Sequence, residues 1–394
     1  MATWVLQLGR ETELCAYELR QVCAWHGIGV SATWRGLAEV ETVSDEDLHA
    51  GFLEGLGGVV RAIRPVEEWT DDLEARFVGG RLLFPQGNWA VSSLSPQLER
   101  EREAVRDWTR RILEENPGAR GRELRPVPGE TEVVPAKIWE ARLAEKESEL
   151  CLWRDWVGKV RLGTTVWVYS PEEFARRDVD KPFRPQRRGM MPPKLARQMV
   201  NLARTADTKK MLDPFCGSGV TLIEGLALGL EVAGSDNREE AVLQSRKNVD
   251  WFLKASAGIP PERALFIDCL DARQLSSKLE PLSFDAVIAE GDLGPAIRGR
   301  LSRKAAVGFL PRLEALYTAA FAEIRIVLKP GGRVCLAVPF WQPSEGDPIF
   351  LNLERRLRLI GYQPVLDEKG FDPILYRRKD QRVGRAIYLL ESPV

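Results

Sequence analysis

The stretch Met211–Asn237, MLDPFCGSGVTLIEGLALGLEVAGSDN, contains a short apolar strand, a glycine-rich turn, a helix and a second strand. Asp213 ends the first strand, and Gly217 and Gly219 lie in the turn. Asp236 ends the second strand, seventeen positions after Gly219. This order predicts the start of a parallel sheet, on which ligands bind beyond the carboxyl ends of the strands. The two aspartates are therefore candidate binding residues.

Strand-like and helical segments alternate through the rest of this half of the chain. Apolar strands are expected at KMLDPF, EVAGSD, RALFIDCL, FDAVIAE, GRVCLAVPF and, near the end, QPVLDEK and RAIYLLES. Amphipathic helices are expected between them, among them PRLEALYTAAFAEIRIVL and IFLNLERRLRLIG. This interleaving predicts an α/β fold with a doubly wound, mainly parallel sheet.

The first half has a different composition, since ten of the twelve tryptophans precede residue 170. Its first 70 residues or so predict the order β-α-β-α-β, and a second α+β unit follows. Most of these tryptophans are expected in a core, and stacking of one or two on nucleobases stays open.

Composition excludes several classes of protein. No apolar run reaches the ~20 residues of a membrane-spanning helix, and the N-terminus does not resemble a secretory signal, so we expect a cytoplasmic protein. The six cysteines are widely spaced, and the only histidines are His26 and His49. This pattern predicts reduced thiols and argues against a metal site or histidine-assisted nucleophilic catalysis.

The net charge of −1 is not typical of a nucleic-acid-binding protein, but the basic residues are clustered. Between Arg176 and Lys210 there are eleven Lys and Arg against three Asp and Glu, and a second cluster runs from Tyr376 to Arg385. Because the two clusters flank one candidate site, they favour contact with phosphates.

The chemistry of the turn limits the ligand. A dinucleotide fingerprint requires glycine where Leu222 stands, and the turn lacks the Lys-Ser/Thr of a phosphate-binding loop. An acid beside the turn favours a positively charged ligand group, and Asp236 is placed to accept hydrogen bonds from ribose hydroxyls. Asp271, or alternatively Asp268, is placed to meet an adenine ring. A nucleoside with a cationic amino-acid tail, S-adenosylmethionine, fits these acids.

The segment DPFCGSG resembles motif I of Rossmann-like methyltransferases that act on exocyclic amines. The segments RRGMMPPKLARQMVNLA and GSDN resemble the tRNA guanine-10 N2-methyltransferase family, which carries a ferredoxin-like unit and a THUMP RNA-binding domain before its methyltransferase domain. The turn chemistry and the resemblance assign S-adenosylmethionine binding to Asp213, Pro214, Phe215, Cys216, Gly217, Gly219, Asp236, Asn237, Asp271 and Pro192.

The resemblance also implies a domain order and a tRNA partner. We expect a ferredoxin-like unit at residues 1–75, a THUMP-like unit at 76–170, a basic linker at 171–189 and the methyltransferase domain at 190–394. Contacts with RNA are expected from Arg184, Arg187, Arg188, Arg377 and Arg378.

One motif departs from the family. Where motif IV has an acidic or amide residue, proline and an aromatic residue, this chain reads AEGDLGP, Ala289 to Pro295. Glu290 is the candidate catalytic residue that orients the amine, and Asp292 is either a second acceptor or a cap. The stacking ring is missing, so either another ring, Phe340 or Trp341, replaces it or the target differs. We therefore expect tRNA N2-guanine methylation, with a non-catalytic RNA-binding protein and a DNA amino-methyltransferase as alternatives.

Overall fold

The computed structural model describes residues 2–44, 48, 50–68, 87–115, 121–184, 190–256, 258–297, 299–366 and 369–393. The chain forms two compact units, Met1–Glu173 and Phe174–Val394, and passes from one to the other within helix α5 (Pro171–Ala175). In the part of the chain that is described, no helix is long and apolar enough to cross a bilayer.

The first unit begins with a ferredoxin-like arrangement. Its elements are β1 (Ala2–Leu8), α1 (Thr12–Trp25), β2 (Gly29–Trp34), β3 (Leu37–Thr42), α2 (Ala50–Glu54) and β4 (Val59–Glu68). The strands lie in the order β2-β3-β1-β4, and every neighbouring pair is antiparallel. This β-α-β-β-α-β order has one strand more than predicted. The missed hairpin turns on Arg35 and Gly36, which both have positive φ, as a two-residue turn between twisted strands requires.

The remainder of the first unit extends the same sheet. It contains β5 (Trp89–Ser93), α3 (Glu99–Glu115), β6 (Glu123–Leu124), α4 (Pro135–Glu140), β7 (Glu149–Arg154) and β8 (Val160–Val168). The strand order continues β4-β8-β7-β5-β6, so strands from both sides of the boundary expected near residue 75 share one sheet. The fully buried Arg61 of β4 donates to Glu149 of β7 at 2.6 Å. Residues 69–86 are outside the described ranges, and the division into two domains stays a prediction.

The second unit is built on a mainly parallel sheet. Its strands are β9 (Lys210–Asp213), β10 (Glu231–Asp236), β11 (Ala264–Cys269), β12 (Phe284–Glu290), β13 (Leu328–Trp341), β14 (Ile349–Phe350), β15 (Gln363–Pro364), β16 (Ile374–Tyr376) and β17 (Val383–Glu391). Its helices are α6 (Pro193–Ala203), α7 (Val220–Ala227), α8 (Glu239–Ala255), α9 (Arg303–Val327) and α10 (Glu354–Ile360). The order is β11-β10-β9-β12-β13-β17-β15, parallel from β11 to β13 and antiparallel beyond. The predicted doubly wound, mainly parallel fold is confirmed.

Two helix boundaries differ from the predictions. Helix α9 begins at Arg303, eight residues before the expected start at Pro311, because the Ser302 side chain caps it by accepting from the Ala305 N–H. Proline is common in the first turn of a helix, which made Pro311 look like a start. Helix α10 begins only at Glu354, because Ile349 and Phe350 pair with β13 as a short strand.

Candidate active site

The glycine-rich turn between β9 and α7 is held by the carboxylates of the two strands. Asp236 Oδ2 accepts from Gly217 N at 3.1 Å, and Asp236 Oδ1 accepts from the backbone N–H of Arg238 at 3.0 Å. Asp213 Oδ1 accepts from Phe215 N at 2.9 Å, and Cys216 N donates to the Ser235 carbonyl at 2.8 Å. We call Asp213, Gly217 and Asp236 the cofactor edge.

Burial makes Asp213 an unusual acid. It is 1% exposed, and burial raises its pKa to about 8, with hydrogen bonds from Phe215 and Thr221 acting in the opposite direction. The negative charges of Asp236 and Glu290 raise its pKa further, and the two strands that end in these acids, β10 and β12, both pair with β9. A cationic ligand group beside Asp213 would favour the ionised carboxylate.

The two turn glycines have different roles. Both have positive φ, 52° at Gly217 and 81° at Gly219. A Cβ on Gly219 would lie 2.6 Å from Ser245 Oγ, so this glycine lets the turn pack against α8. A Cβ on Gly217 would meet only the Phe215 carbonyl oxygen, at 3.8 Å. Gly217 is therefore the position where a ligand can approach the backbone.

The segment before α6 is tied to this turn. The buried Asn248 of α8 accepts from Phe183 N at 2.8 Å and donates to the carbonyls of Phe183 and Ser218. Met190 Sδ lies 3.8 Å from Ser218 Oγ, and Pro192 immediately precedes α6. Thus the predicted site residue Pro192 follows a segment that contacts the glycine-rich turn.

The remaining predicted cofactor residues lie at the carboxyl ends of β9, β10 and β11. Pro214 and Cys216 are buried in the turn, Phe215 is half-buried, and Asn237 is exposed just after β10. Asp271 follows β11, and its carboxylate accepts from Arg273 N at 2.9 Å and from Arg273 Nη2 at 2.6 Å. Asp268 instead pairs with Arg246 of α8 at 2.6 Å. Between the two alternatives, Asp271 is the acid that lies beyond the strand end.

Glu290, at the carboxyl end of β12, forms an ion pair with Arg385 of β17. Glu290 aligns with Ala337 of β13, and Arg385 aligns with Pro339 two residues further on, so both side chains lie on one face of the sheet. Burial raises the pKa of Glu290, and the positive charge and hydrogen bond of Arg385 oppose this rise. The Glu290 side chain is 16% exposed and that of Arg385 is 3% exposed. We call Glu290, Arg385 and Tyr317 the acceptor edge.

The divergent residues Gly291 and Asp292 pack around Tyr317 of α9. A Cβ on Gly291 would lie 2.4 Å from the Tyr317 hydroxyl, so only glycine fits beside that ring. The Tyr317 hydroxyl donates to the Asp292 carbonyl at 2.8 Å. The Asp292 carboxylate accepts from Gly294 N at 2.8 Å and pairs with Arg312 at 2.9 Å. These contacts favour the interpretation of Asp292 as a cap.

Neither aromatic residue suggested as a replacement ring is open to a base. Phe340 is 3% exposed and stacks on Phe350 with ring centroids 5.1 Å apart. Trp341 is fully buried and packs against Phe309. Tyr376 is half-buried and lies under the Arg385 guanidinium, 5.6 Å from the ring centroid. Tyr376 thus contacts the acceptor edge through Arg385.

The residues predicted to contact RNA differ in exposure and in their hydrogen-bond partners. Arg184 is half-exposed and lies 3.9 Å from Asp178, whereas Arg187 and Arg188 are outside the described residues. Arg378 is exposed, and Arg377 donates to the Gln381 carbonyl at 2.9 Å. The basic cluster Tyr376–Arg385 is therefore not uniform, because its last residue turns inward to Glu290.

Sequence reasoning missed three residues of the site: Asn248, Tyr317 and Arg385. Only Arg385 left a usable signal, since it begins the apolar strand-like run RAIYLL, which is buried in the structure. An arginine in such a strand requires a buried partner. The partner lies 95 residues away, which local patterns do not reveal.

The second unit has the fold of Rossmann-like methyltransferases, and a family model supports this class. Residues 182–340 match the family described as UPF0020: RMKL-like, methyltransferase domain. The solved structure of TrmN from Thermus thermophilus aligns over 99% of both chains with a TM-score of 0.57 and 17% identity, which shows the shared fold.

Two relatives are similar in sequence over only part of the chain. The tRNA (guanine(10)-N2)-dimethyltransferase of Pyrococcus abyssi is 30% identical over 247 residues, which is 60% of this chain and 62% of that protein. The enzyme of the same description from Methanothermobacter thermautotrophicus is 32% identical over 159 residues, 40% of this chain and 41% of that protein. The matched part thus spans less than two thirds of either relative. The resemblance that the methyltransferase motifs indicated is confirmed, and the THUMP-like unit stays a prediction.

Proposed function

We propose that this protein is an S-adenosylmethionine-dependent methyltransferase that modifies the exocyclic N2 amine of guanosine in tRNA. The observation that carries the proposal is the position of Glu290 at the carboxyl end of β12, a parallel neighbour of β9, whose carboxyl end carries Asp213. A carboxylate for the acceptor amine and a binding edge for the methyl donor then lie at the same end of one sheet.

The cofactor edge fits S-adenosylmethionine. Gly217 leaves the backbone open to approach, and Asp236 ends β10 with a carboxylate beside the turn. Asp213 is a buried acid whose ionised form a ligand ammonium group would stabilise. When bound, S-adenosylmethionine supplies the electrophilic methyl group.

At the acceptor edge, the side chains orient a weak nucleophile. The lone pair of an exocyclic amine is delocalised into the base, so transfer depends on alignment of the nitrogen. Arg385 holds one oxygen of Glu290 and favours the ionised carboxylate, whose second oxygen can accept an N–H of the amine. In this proposal Glu290 is the catalytic residue and Arg385 is a positioning residue. Asp292 caps its loop and keeps Tyr317 in place.

The choice of guanosine and tRNA is supported by the two archaeal relatives, whose names specify that substrate. It is further supported by the exposed Arg378 and the half-exposed Arg184 in the second unit. We also propose that the ferredoxin-like and THUMP-like part, residues 1–170, contributes to tRNA affinity, and that the protein acts in the cytoplasm. The oligomeric state stays open.

The deciding experiment is a methyl-transfer assay with labelled S-adenosylmethionine on total tRNA and on DNA, followed by mass spectrometry of the product nucleosides. We expect N2-methylated guanosine from tRNA, and the spectrum distinguishes one methyl group from two. Label in DNA would support an amino-methyltransferase of DNA. Binding of cofactor and tRNA without transfer would show a non-catalytic RNA-binding protein and contradict the proposal.

A further inference from the structure

A tight turn in the first unit exposes two large apolar side chains. The turn joins β7 to β8, and Trp156 and Val157 at its tip are 63% and 56% exposed. The preceding tryptophan of the same hairpin, Trp153, is 1% exposed. The two side chains are adjacent and lie outside the core, so they form a small exposed apolar surface that can bind a partner.

The turn does not need these two residues for its own conformation. Asp155 Oδ1 accepts from Val157 N at 3.1 Å and from Lys159 N at 2.9 Å, and Gly158 supplies a positive φ of 91°. Asp155 and Gly158 are the residue types that such a turn requires. The positions of Trp156 and Val157 accept most side chains, including polar ones. Their apolar character is therefore available for binding.

The base of the β7–β8 hairpin is held by hydrogen bonds to other segments. The backbone N–H of Arg154 donates to Ser95 Oγ at 3.0 Å, and the Arg154 carbonyl accepts from Trp34 Nε1 at 2.8 Å. Side chains from two other segments thus fix the base of the hairpin. A ring presented on such a support loses little conformational freedom when it binds.

Three cationic residues lie close to Trp156 in the sequence. Arg154, Lys159 and Arg161 lie within eight residues of chain that contain one acid, Asp155. Arg161 pairs with that acid at 2.8 Å, and Lys159 is exposed. An aromatic ring beside positive charges suits a nucleic acid, whose base stacks on the ring while its phosphates meet the cations.

We propose that Trp156 is a stacking platform for an unpaired nucleobase of the RNA substrate. This inference rests on the proposed function, because it takes tRNA as the ligand of the protein. It adds a binding site in the first unit at a position that no sequence motif marks. Lys159 contributes a phosphate contact next to the stacked base.

The test compares tRNA affinity of the full chain and its variants at several salt concentrations. W156A should weaken binding about tenfold without changing the salt dependence, since stacking on one base releases no counterions. W156F should restore most of the affinity. K159A should reduce the slope of log affinity against log salt by about one. W139A is the matched control, because Trp139 is also partly exposed in this unit, and it should stay within about twofold.

Equal affinity of W156A and wild type would overturn the proposal, as would equal losses in W156A and W139A. A changed oligomeric state of W156A with unchanged tRNA affinity would also overturn it and assign the tip to a protein contact. If wild type itself binds no tRNA, the proposed function fails together with this site. Unfolding temperatures equal to that of wild type show that the variants are folded.

Discussion

The cofactor edge and the acceptor edge hold their carboxylates in different ways. Asp213 and Asp236 accept from backbone N–H groups of the adjoining turn, within a few residues or across one helix. Glu290 depends on a guanidinium 95 residues further along the chain. Backbone donors persist whatever the neighbouring side chains are, whereas an ion pair disappears with one substitution. The acceptor edge is therefore the more easily altered half of the site.

The largest effect is expected at Glu290. Glu290→Gln keeps the shape but removes the charge, and we expect methyl transfer to fall about 100-fold, a barrier increase of about 2.7 kcal/mol. Steady-state kinetics on tRNA measures this loss, and calorimetry should show cofactor affinity within a few-fold of wild type. Glu391→Gln is the control, because Glu391 pairs with Arg333 at the other end of β17. A Glu290→Gln enzyme with wild-type kcat would remove this residue from the mechanism.

The next effect concerns the cofactor edge. Asp236→Ala should weaken S-adenosylmethionine binding about 30-fold, or about 2 kcal/mol, through the loss of charge-assisted hydrogen bonds. Arg238→Ala, which removes only the exposed side chain that contacts Asp236, should stay within about threefold. Calorimetry measures both affinities. Equal affinities for Asp236→Ala and wild type would show that Asp236 serves the turn alone.

The third effect concerns Arg385, which should make the rate of methyl transfer depend on pH through the protonation of Glu290. Burial raises the pKa of Glu290 and Arg385 opposes it, so Arg385→Met should raise that pKa further. Because the proposed role of Glu290 requires the carboxylate, the variant should lose about tenfold in rate at pH 7 and recover as the pH rises. Besides Arg385, the titratable groups near Glu290 are the acid Asp213, with Asp236 beside it, and the phenol of Tyr317, with Asp292 and Arg312 beside it.

The measurement is a pH–rate profile of wild type, Arg385→Met and Arg385→Lys. The lysine variant keeps a positive charge, so its rate should fall at acidic pH in the same range as the rate of wild type. A loss in Arg385→Met that is the same at every pH would show that Arg385 supports the fold only.

The smallest effect is expected at Asp292. Its carboxylate caps Gly294 and pairs with the half-exposed Arg312, so Asp292→Ala should slow transfer less than threefold and cost about 1 kcal/mol of stability. Kinetics and thermal unfolding separate the two quantities. A tenfold or larger loss of rate without a loss of stability would restore Asp292 as a second acceptor of the amine.

Local patterns predicted the cofactor edge because its parts are close in sequence. Strand, glycine turn and helix lie within Met211–Asn237. Apolar residues mark the strands, glycines with positive φ mark the turn, and an aspartate marks the end of each strand. The residues of the acceptor edge are far apart in the sequence. Tyr317 reaches Asp292 across 25 residues, and Arg385 reaches Glu290 across 95. Sequence placed Glu290 correctly at a strand end but gave no information about its partner.

Sequence patterns also failed to identify two features of the first unit. Its β2–β3 hairpin was missed because Arg35-Gly36 is not one of the common Asn-Gly or Asp-Gly turn signals. The exposed Trp156 could not be separated from the buried tryptophans, since exposure depends on the fold around each ring.

The Asn248 contact restricts how the chain can be shortened. A fragment that begins at residue 190, the domain start expected from sequence, would lack Phe183, which Asn248 holds by both its backbone N–H and its carbonyl. It would also lack Arg177, which shares the buried Glu224 with Arg197. Asn248 and Glu224 would then lose partners inside the core. A fragment that keeps these contacts must therefore begin upstream of Arg177, so Arg177 and Phe183 of the expected linker belong to the folding unit of the second half.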